Sequence, residues 1–118
     1  MTQLTQERCV ACRRDAPRVT DAEIAELHPI VADWELIQVD GVNRLRRGFR
    51  FRNFQQAMDF STGIGQIAEE EGHHPKLVTE WGRVTIDWWT HKIRGLHRND
   101  FIMAAKTDRA FEEATRQD

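Results

Sequence analysis

Several features that assign a chain to a common class are missing from these 118 residues. No stretch approaches the roughly 18 consecutive apolar residues of a membrane-spanning helix, so no span is expected. Residues 1–7 lack the apolar core of a secretory signal, so the cytoplasm is the expected location. Positive charge is not in excess, because the formal net charge is −2, and this argues against a domain dominated by nucleic-acid binding.

Cysteine is also scarce, with Cys9 and Cys12 forming a single CxxC pair in a polar N-terminal segment. A zinc ribbon needs a second pair of ligands, and the sequence has no second cysteine pair. A thioredoxin-type motif opens a helix after a strand, whereas this pair lies in a polar tail. We therefore interpret both thiols as reduced tail residues, with a metal or redox role as the alternative.

The chain length fits one domain with one hydrophobic core. Residues 1–19 are interpreted as a tail that lies on the domain or stays mobile, and the domain is expected over residues 20–118. Thr20 and Glu23 have the spacing of a capping box, which predicts that a short helix begins here. Pro29 limits this helix, because a proline ring clashes with the preceding turn.

Alternation and turn signals predict two pairs of strands, over residues 34–39 with 43–52 and over residues 77–81 with 83–90. Asp40-Gly41 is a hairpin turn signal between the first two, and Gly82 provides a tight turn between the others. In the second strand Arg44, Arg46, Arg50 and Arg52 occupy even positions and so share one face. They can hold phosphate, but the negative net charge favours a solvated face balanced by nearby acids.

Two longer helices complete the prediction. Asn53 is an N-cap signal for a helix of about 18 residues, and apolar residues recur after it at helical spacing. Gly63 and Gly65 weaken this helix, and we expect them to permit close packing against a sheet or a neighbouring subunit. The last helix is expected over residues 98–113. The order α-β-β-α-β-β-α predicts an α+β domain, with a four-stranded antiparallel sheet covered by three helices on one face.

The stretch after the long helix concentrates titratable groups. Gly72 suits the left-handed position that ends a helix, and Pro75 forces extended backbone before it. His73 and His74 are therefore held in a short connection, and His91 ends the fourth predicted strand. Histidine exchanges a proton near neutral pH, so three of them in one pocket supply an acid and a base.

The acids beside the histidines are interpreted differently from one another. Glu69 lies four residues before His73 and can turn toward the histidines, whereas Glu70 and Glu71 are interpreted as a solubilising helix end. Proton-transfer catalysis is the interpretation that the spacing favours. A zinc site and carbonyl capping by the histidines remain open, although no HExxH motif is present. No serine, and no cysteine outside the tail, lies beside the histidines in sequence, which argues against covalent catalysis.

One spaced pattern connects these residues to others along the chain. It reads Glu69, three residues, His73-His74-Pro75, five residues, Trp81, nine residues, His91, eight residues, and Asp100. This pattern resembles the signature of the pterin-4a-carbinolamine dehydratases, and the resemblance extends over about residues 20–115. It also includes the Phe-x-Phe of Phe49 and Phe51.

The resemblance implies a hydro-lyase that removes water from a 4a-hydroxytetrahydropterin and yields quinonoid dihydropterin in tetrahydropterin recycling. No metal and no added cofactor are implied. Acid–base catalysis is implied for His73 and His91, and histidine suits both tasks at neutral pH. Substrate binding or support of the pocket is implied for His74, Glu69, Trp81 and Asp100.

The resemblance also has implications for partners. It implies a pterin substrate, a homodimer or homotetramer, and a pathway partner among the aromatic amino-acid hydroxylases, with neither nucleic acid nor membrane. The alternative is a non-catalytic interaction module of the same fold, acting as a transcriptional coactivator or an enzyme assembly factor. Retention of all three histidines favours the enzyme. An enzyme accelerates water loss from the carbinolamine, whereas a module co-purifies with a partner.

Overall fold

The computed structural model of the chain describes residues 4–10 and 16–116, and these residues have the predicted α+β architecture. The strands are β1 (Glu35–Val39), β2 (Val42–Arg50), β3 (Lys76–Glu80) and β4 (Arg83–Trp88). The helices are α1 (Asp21–Leu27), α2 (Phe54–Glu71) and α3 (Arg98–Arg116). Short 3-10 helices occupy Leu4–Gln6, His28–Val31 and His91–Ile93.

The sheet has the strand order β1-β2-β4-β3, and every neighbouring pair is antiparallel. The predicted hairpin turn is confirmed, because Asp40 and Gly41 both have positive φ, as the favoured two-residue turn requires. β1 begins one residue later than predicted, because the amide of Trp34 donates to Val31 and closes a turn. β2 ends at Arg50, where the next amide, of Phe51, donates to Gly82 in the adjacent turn.

Local signals at the helix ends are confirmed. The Thr20 hydroxyl accepts from the Glu23 amide, and the Glu23 carboxylate accepts from the Thr20 amide, so the capping box forms. The Asn53 side chain accepts from the Gln56 amide at the start of α2. No helix in the described residues combines the length and apolarity needed to cross a membrane.

The hydrophobic core lies between the helices and one face of the sheet. The predicted inward residues of β4 are fully buried there, at Val84, Ile86 and Trp88. Leu45 and Phe49 cover the same face of β2, as the alternation predicts. Arg44 and Arg46 of β2 lie on the opposite face and bond Asp87, which supports the interpretation of a charge-balanced face.

The segment at residues 4–10, called here the N-terminal strap, lies on the domain. Leu4 is 2% exposed and belongs to the core. The carboxylate of Glu7 accepts two hydrogen bonds from Arg98, and the carbonyl of Thr5 accepts one from Lys106. The tail is expected either to lie on the domain or to stay mobile, and residues 4–10 lie on the domain. Cys12 is outside the described residues.

Candidate active site

A cleft of about 560 Å³ lies where α2 ends and β4 ends. His73, His74 and His91 all line it. The sheet explains how they meet, because β3 and β4 are antiparallel and Lys76 pairs with Asp87. The connection that leads into β3 therefore lies beside the residues that follow β4. Tertiary structure thus brings together histidines that are far apart in the sequence.

The helix stop determines the position of His73. Gly72 has φ 63°, and its amide donates back to the last turn of α2. The His73 amide donates to the carbonyl of Ala68 at 3.1 Å, which completes a Schellman-type end. This bond returns the chain toward the domain, and His73 is only 8% exposed. The glycine stop and the buried histidine are parts of one local structure.

His73 is paired with Asp100, which is fully buried at the start of α3. The distance from His73 Nε2 to Asp100 Oδ1 is 2.6 Å. The other oxygen, Oδ2, accepts from the Thr90 hydroxyl at 2.8 Å and from the His97 amide at 2.9 Å. Because a carboxylate only accepts, Nε2 of His73 carries the hydrogen in this pair. The Nδ1 atom of a neutral His73 is then able to accept a proton.

The ring of His73 is also held by stacking. It lies nearly parallel to the buried indole of Trp88, with 5.8 Å between centroids and 9° between planes. The Trp88 indole nitrogen in turn donates to the hydroxyl of Thr107. Packing and hydrogen bonding therefore fix both the position and the tautomer of His73.

His74 and Glu69 form a second histidine–carboxylate contact, between Nε2 and Oε2. Their side chains remain 60% and 76% exposed, so solvent screens this pair. Glu69 does turn toward the histidines, as expected from its spacing. The contact reaches His74, on the open side of the cleft, and His73 has Asp100 instead.

Trp81 is not brought to the cleft. It lies in the turn between β3 and β4, at the opposite end of that hairpin, and is 74% exposed. The length of β3 separates it from the histidines by roughly 17 Å at about 3.3 Å per residue. Within one chain, Trp81 is therefore not a wall of this cleft. The aromatic rings beside the histidines belong to Trp88 and Trp89.

The expectation that Glu71 is part of a solubilising helix end is wrong. Its side chain is 7% exposed and accepts a hydrogen bond from the Cys9 amide at 2.8 Å. Lys106 Nζ lies 3.7 Å from its second oxygen. The strap covers this end of α2, and Glu71 binds the strap there. No local signal predicts this role, because Cys9 is 62 residues away in sequence.

Sequence reasoning also missed Asn99 and Val10, which both line the cleft. The Asn99 side chain accepts from the Val10 amide at 3.1 Å and donates to its carbonyl at 2.8 Å. Asn99 thereby attaches the strap to α3 as one wall of the cleft. The sequence signal for this role of Asn99 is weak, because an asparagine just before Asp100 is typical of any helix start.

The thiol of Cys9 lies behind this wall, with Sγ 3.9 Å from the carbonyl oxygen of Asn99. Burial of the thiol, with the carboxylates of Glu71 and Asp100 nearby, raises the pKa of Cys9 to about 12. The group is therefore a thiol rather than a thiolate at neutral pH, which makes it a poor nucleophile and a poor metal ligand. Among residues 4–10 and 16–116, no three histidine, cysteine or acidic side chains group as metal ligands.

Known proteins are similar to this chain over most of its length. A family model described as Pterin 4 alpha carbinolamine dehydratase matches residues 17–110. A protein of Gloeobacter violaceus, named "Putative pterin-4-alpha-carbinolamine dehydratase 1", is 60% identical over 105 residues, covering 89% of this chain and 90% of that protein. A Nitrosococcus oceani protein, named "Putative pterin-4-alpha-carbinolamine dehydratase", is 59% identical over 108 residues, covering 92% and 96%.

Solved structures have the same fold. A transcriptional coactivator/pterin dehydratase from Brucella melitensis matches with a TM-score of 0.71 and 30% identity, over 80% of this chain and 98% of that one. A pterin dehydratase-like RuBisCO assembly factor of the alpha-carboxysome matches with a TM-score of 0.56 and 20% identity, over 66% and 88%. The second likeness concerns the fold alone. The family match and the two relatives together show that the chain belongs to the pterin 4 alpha carbinolamine dehydratase family.

Proposed function

We propose that this protein is a dehydratase that removes water from a 4a-hydroxytetrahydropterin and releases quinonoid dihydropterin. The observation that carries the proposal is the cleft lined by His73, His74 and His91, with Asp100 holding one of them. Family membership supports the choice of a pterin substrate. The product of a tetrahydropterin-dependent aromatic hydroxylase is then the substrate here, which places the reaction in cofactor recycling.

The reaction needs only two proton transfers. A base removes the proton on N5, and the electrons of that N–H bond form the double bond between N5 and C4a. The bond between C4a and its hydroxyl breaks at the same time, and an acid protonates the departing oxygen to give water. Histidine performs both tasks at neutral pH, so the step requires neither metal nor cofactor.

His73 suits the role of base. Asp100 holds the hydrogen of its Nε2, which leaves Nδ1 to accept the N5 proton. The same carboxylate stabilises the imidazolium that forms, as in other histidine–aspartate pairs. His91 suits the role of acid, because it lines the cleft and is exposed, so solvent restores its proton after each turnover. His74 and Glu69 lie on the open side and bind or orient the pterin.

The first test replaces the two proposed acid–base residues. We expect His73→Ala and His91→Ala each to lower kcat by about 100-fold or more, because each removes one proton transfer. Decay of synthetic carbinolamine, followed by stopped-flow absorbance, measures this. His74→Ala is expected to act mainly on KM, since its role is binding.

The matched control is His28→Gln. His28 lies outside the cleft, with Nε2 2.6 Å from the carbonyl of Trp34, and glutamine can still donate there. This variant is expected to keep the wild-type rate. Wild-type rates in both alanine variants, with circular dichroism showing folded protein, would contradict the acid–base assignment.

A non-catalytic interaction module of the same fold is the second candidate function. Exposed apolar side chains support it, including Phe54 and Met58 on α2, which are 47% and 40% exposed. A pure module would leave the uncatalysed rate of carbinolamine loss unchanged and would bind no reduced pterin analogue. Acceleration by wild-type protein that is lost in His73→Ala favours the enzyme.

A further inference from the structure

Behind His91, on the sheet face opposite the helices, two other side chains form a stack with it. The Cζ atom of Arg44 lies 3.7 Å from the ring centroid of Trp89. The imidazole of His91 stacks on the same indole, with 4.3 Å between centroids and 25° between planes. Three planar groups from β2 and from the end of β4 thus adjoin one another.

Arg44 and His91 must cover opposite faces of Trp89. Each group lies within van der Waals distance of the same ring centroid. Non-bonded carbon atoms approach one another to about 3.5–4.0 Å, so two groups this close to the centroid cannot share one face. The order is therefore guanidinium, indole, imidazole, with the indole held on both sides.

The guanidinium end of this stack is firmly held. Asp87 is 2% exposed and lies 3.1 Å from Nη1 of Arg44. Arg46 donates to both oxygens of the same carboxylate, at 2.7 and 2.8 Å. Burial raises the pKa of Asp87, but the hydrogen bonds from Arg46 and Arg44 outweigh it and hold that pKa below its usual 3.8. Asp87 is therefore ionised at neutral pH, and it fixes Arg44 over the indole.

Hydrogen bonding alone does not explain the position of the Arg44 side chain. Its Nε is buried and has no hydrogen-bond partner among the described residues, which is an unfavourable state for a donor. Stacking on Trp89 offsets this, since a guanidinium over an indole face is favourable, and more so when both are desolvated. The contact with Trp89 therefore stabilises the position of Arg44 in addition to its ion pair with Asp87.

We propose that Arg44 and Trp89 are positioning residues that hold the His91 ring in the orientation for proton transfer. The proposal rests on the proposed function, in which His91 acts on the pterin. The His91 side chain is exposed, and among the described residues its stack on Trp89 is the contact that restricts its rotation. Proton transfer depends steeply on such orientation.

The test compares Arg44→Met with Arg46→Met. Both remove one arginine from the same strand face and one partner from Asp87, and each leaves the other arginine to pair with it. Only Arg44 stacks on Trp89. We expect Arg44→Met to lower kcat by about 10- to 100-fold, with KM changed by less than about twofold. Arg46→Met is expected to keep the wild-type kcat.

A second measurement does not depend on activity. The indole ring current shifts the His91 ring protons upfield in an NMR spectrum, since the rings are stacked. This shift should shrink in Arg44→Met, persist in Arg46→Met, disappear in Trp89→Leu and survive in part in Trp89→Phe. If Arg44→Met does not fold, Arg44→Lys and the Trp89 pair provide the same comparison.

The two proposals fail in different ways. If wild-type protein does not dehydrate the carbinolamine, the proposed function is wrong, and the His91 resonances still report on the stack. If the wild type is active but Arg44→Met and Arg46→Met have the same kcat and the same His91 shift, the positioning inference is wrong. A loss of kcat and of the upfield shift in Arg44→Met alone supports it.

Discussion

At the residue scale, the hydrogen-bond donors around Asp100 determine which nitrogen of His73 is protonated. Among the described residues, Oδ2 receives two donors, from Thr90 and His97, while Oδ1 pairs with His73 alone. An asparagine at this position would keep its carbonyl oxygen toward the two donors. Its amide group would then donate toward Nε2 of His73, which moves the histidine hydrogen to Nδ1. The proposed base would lose its accepting atom.

We therefore expect Asp100→Asn to lower kcat by about 10- to 100-fold, because it changes the tautomer without emptying the site. Stopped-flow kinetics measures the rate, and nitrogen chemical shifts of the His73 ring report which nitrogen is protonated. Asp59→Asn is the control, since Asp59 is exposed on α2 and its hydrogen bond within the described residues is to Gln55. A wild-type rate in Asp100→Asn would show that the tautomer of His73 does not matter.

The same residues show how far sequence reasoning reaches. The sequence predicts Glu69, His73 and Asp100 as site residues because their spacing resembles the family pattern. Periodicity alone does not indicate that Asp100 is buried. Trp81 belongs to the same pattern, and the structure shows it at the far end of its hairpin. Glu71 is missed because its role depends on a strap partner distant in the sequence.

At the element scale, the sequence predicts well those features that depend on nearby residues, such as helix caps and turns. The capping box at Thr20, the cap at Asn53 and the turn at Asp40-Gly41 each need partners within four residues. The strap is different, since its contacts with Arg98 and Lys106 lie on the last helix. Composition suggests only a polar tail, whereas docking depends on a surface that forms after α3 packs.

The strap provides a stability test. Leu4→Ala should lower the free energy of unfolding by about 2 kcal/mol or more, because Leu4 is buried and its removal leaves a cavity. Leu36→Ala is the matched control, since Leu36 is 41% exposed on β1 and should cost about 1 kcal/mol or less. Urea denaturation measures both. Equal costs would show that the strap is not part of the folded core in solution.

At the scale of the whole molecule, one stripe of α2 leaves apolar side chains exposed among the described residues. Phe54 and Met58 are one helical turn apart and exposed, and Gly65 lies on the same stripe by its helical angle. A Cβ placed on Gly65 would meet nothing within 4 Å, so its close packing within this chain is not observed. We propose that this stripe contacts a second copy, because a small domain gains stability by covering such a surface.

The proposed contact predicts self-association as a dimer or tetramer that charge on the stripe disrupts. Combining Phe54→Glu with Met58→Glu should shift the protein to monomer, since two carboxylates would be buried without partners. Combining Gln55→Glu with Gln66→Glu adds the same charge to the solvent face of α2, where both residues are exposed, and should leave the oligomer intact. Light scattering after size-exclusion chromatography measures the mass. The same mass in both double variants would place the interface elsewhere, with Leu36 and Val78 on the edge strands β1 and β3 among the other exposed apolar residues.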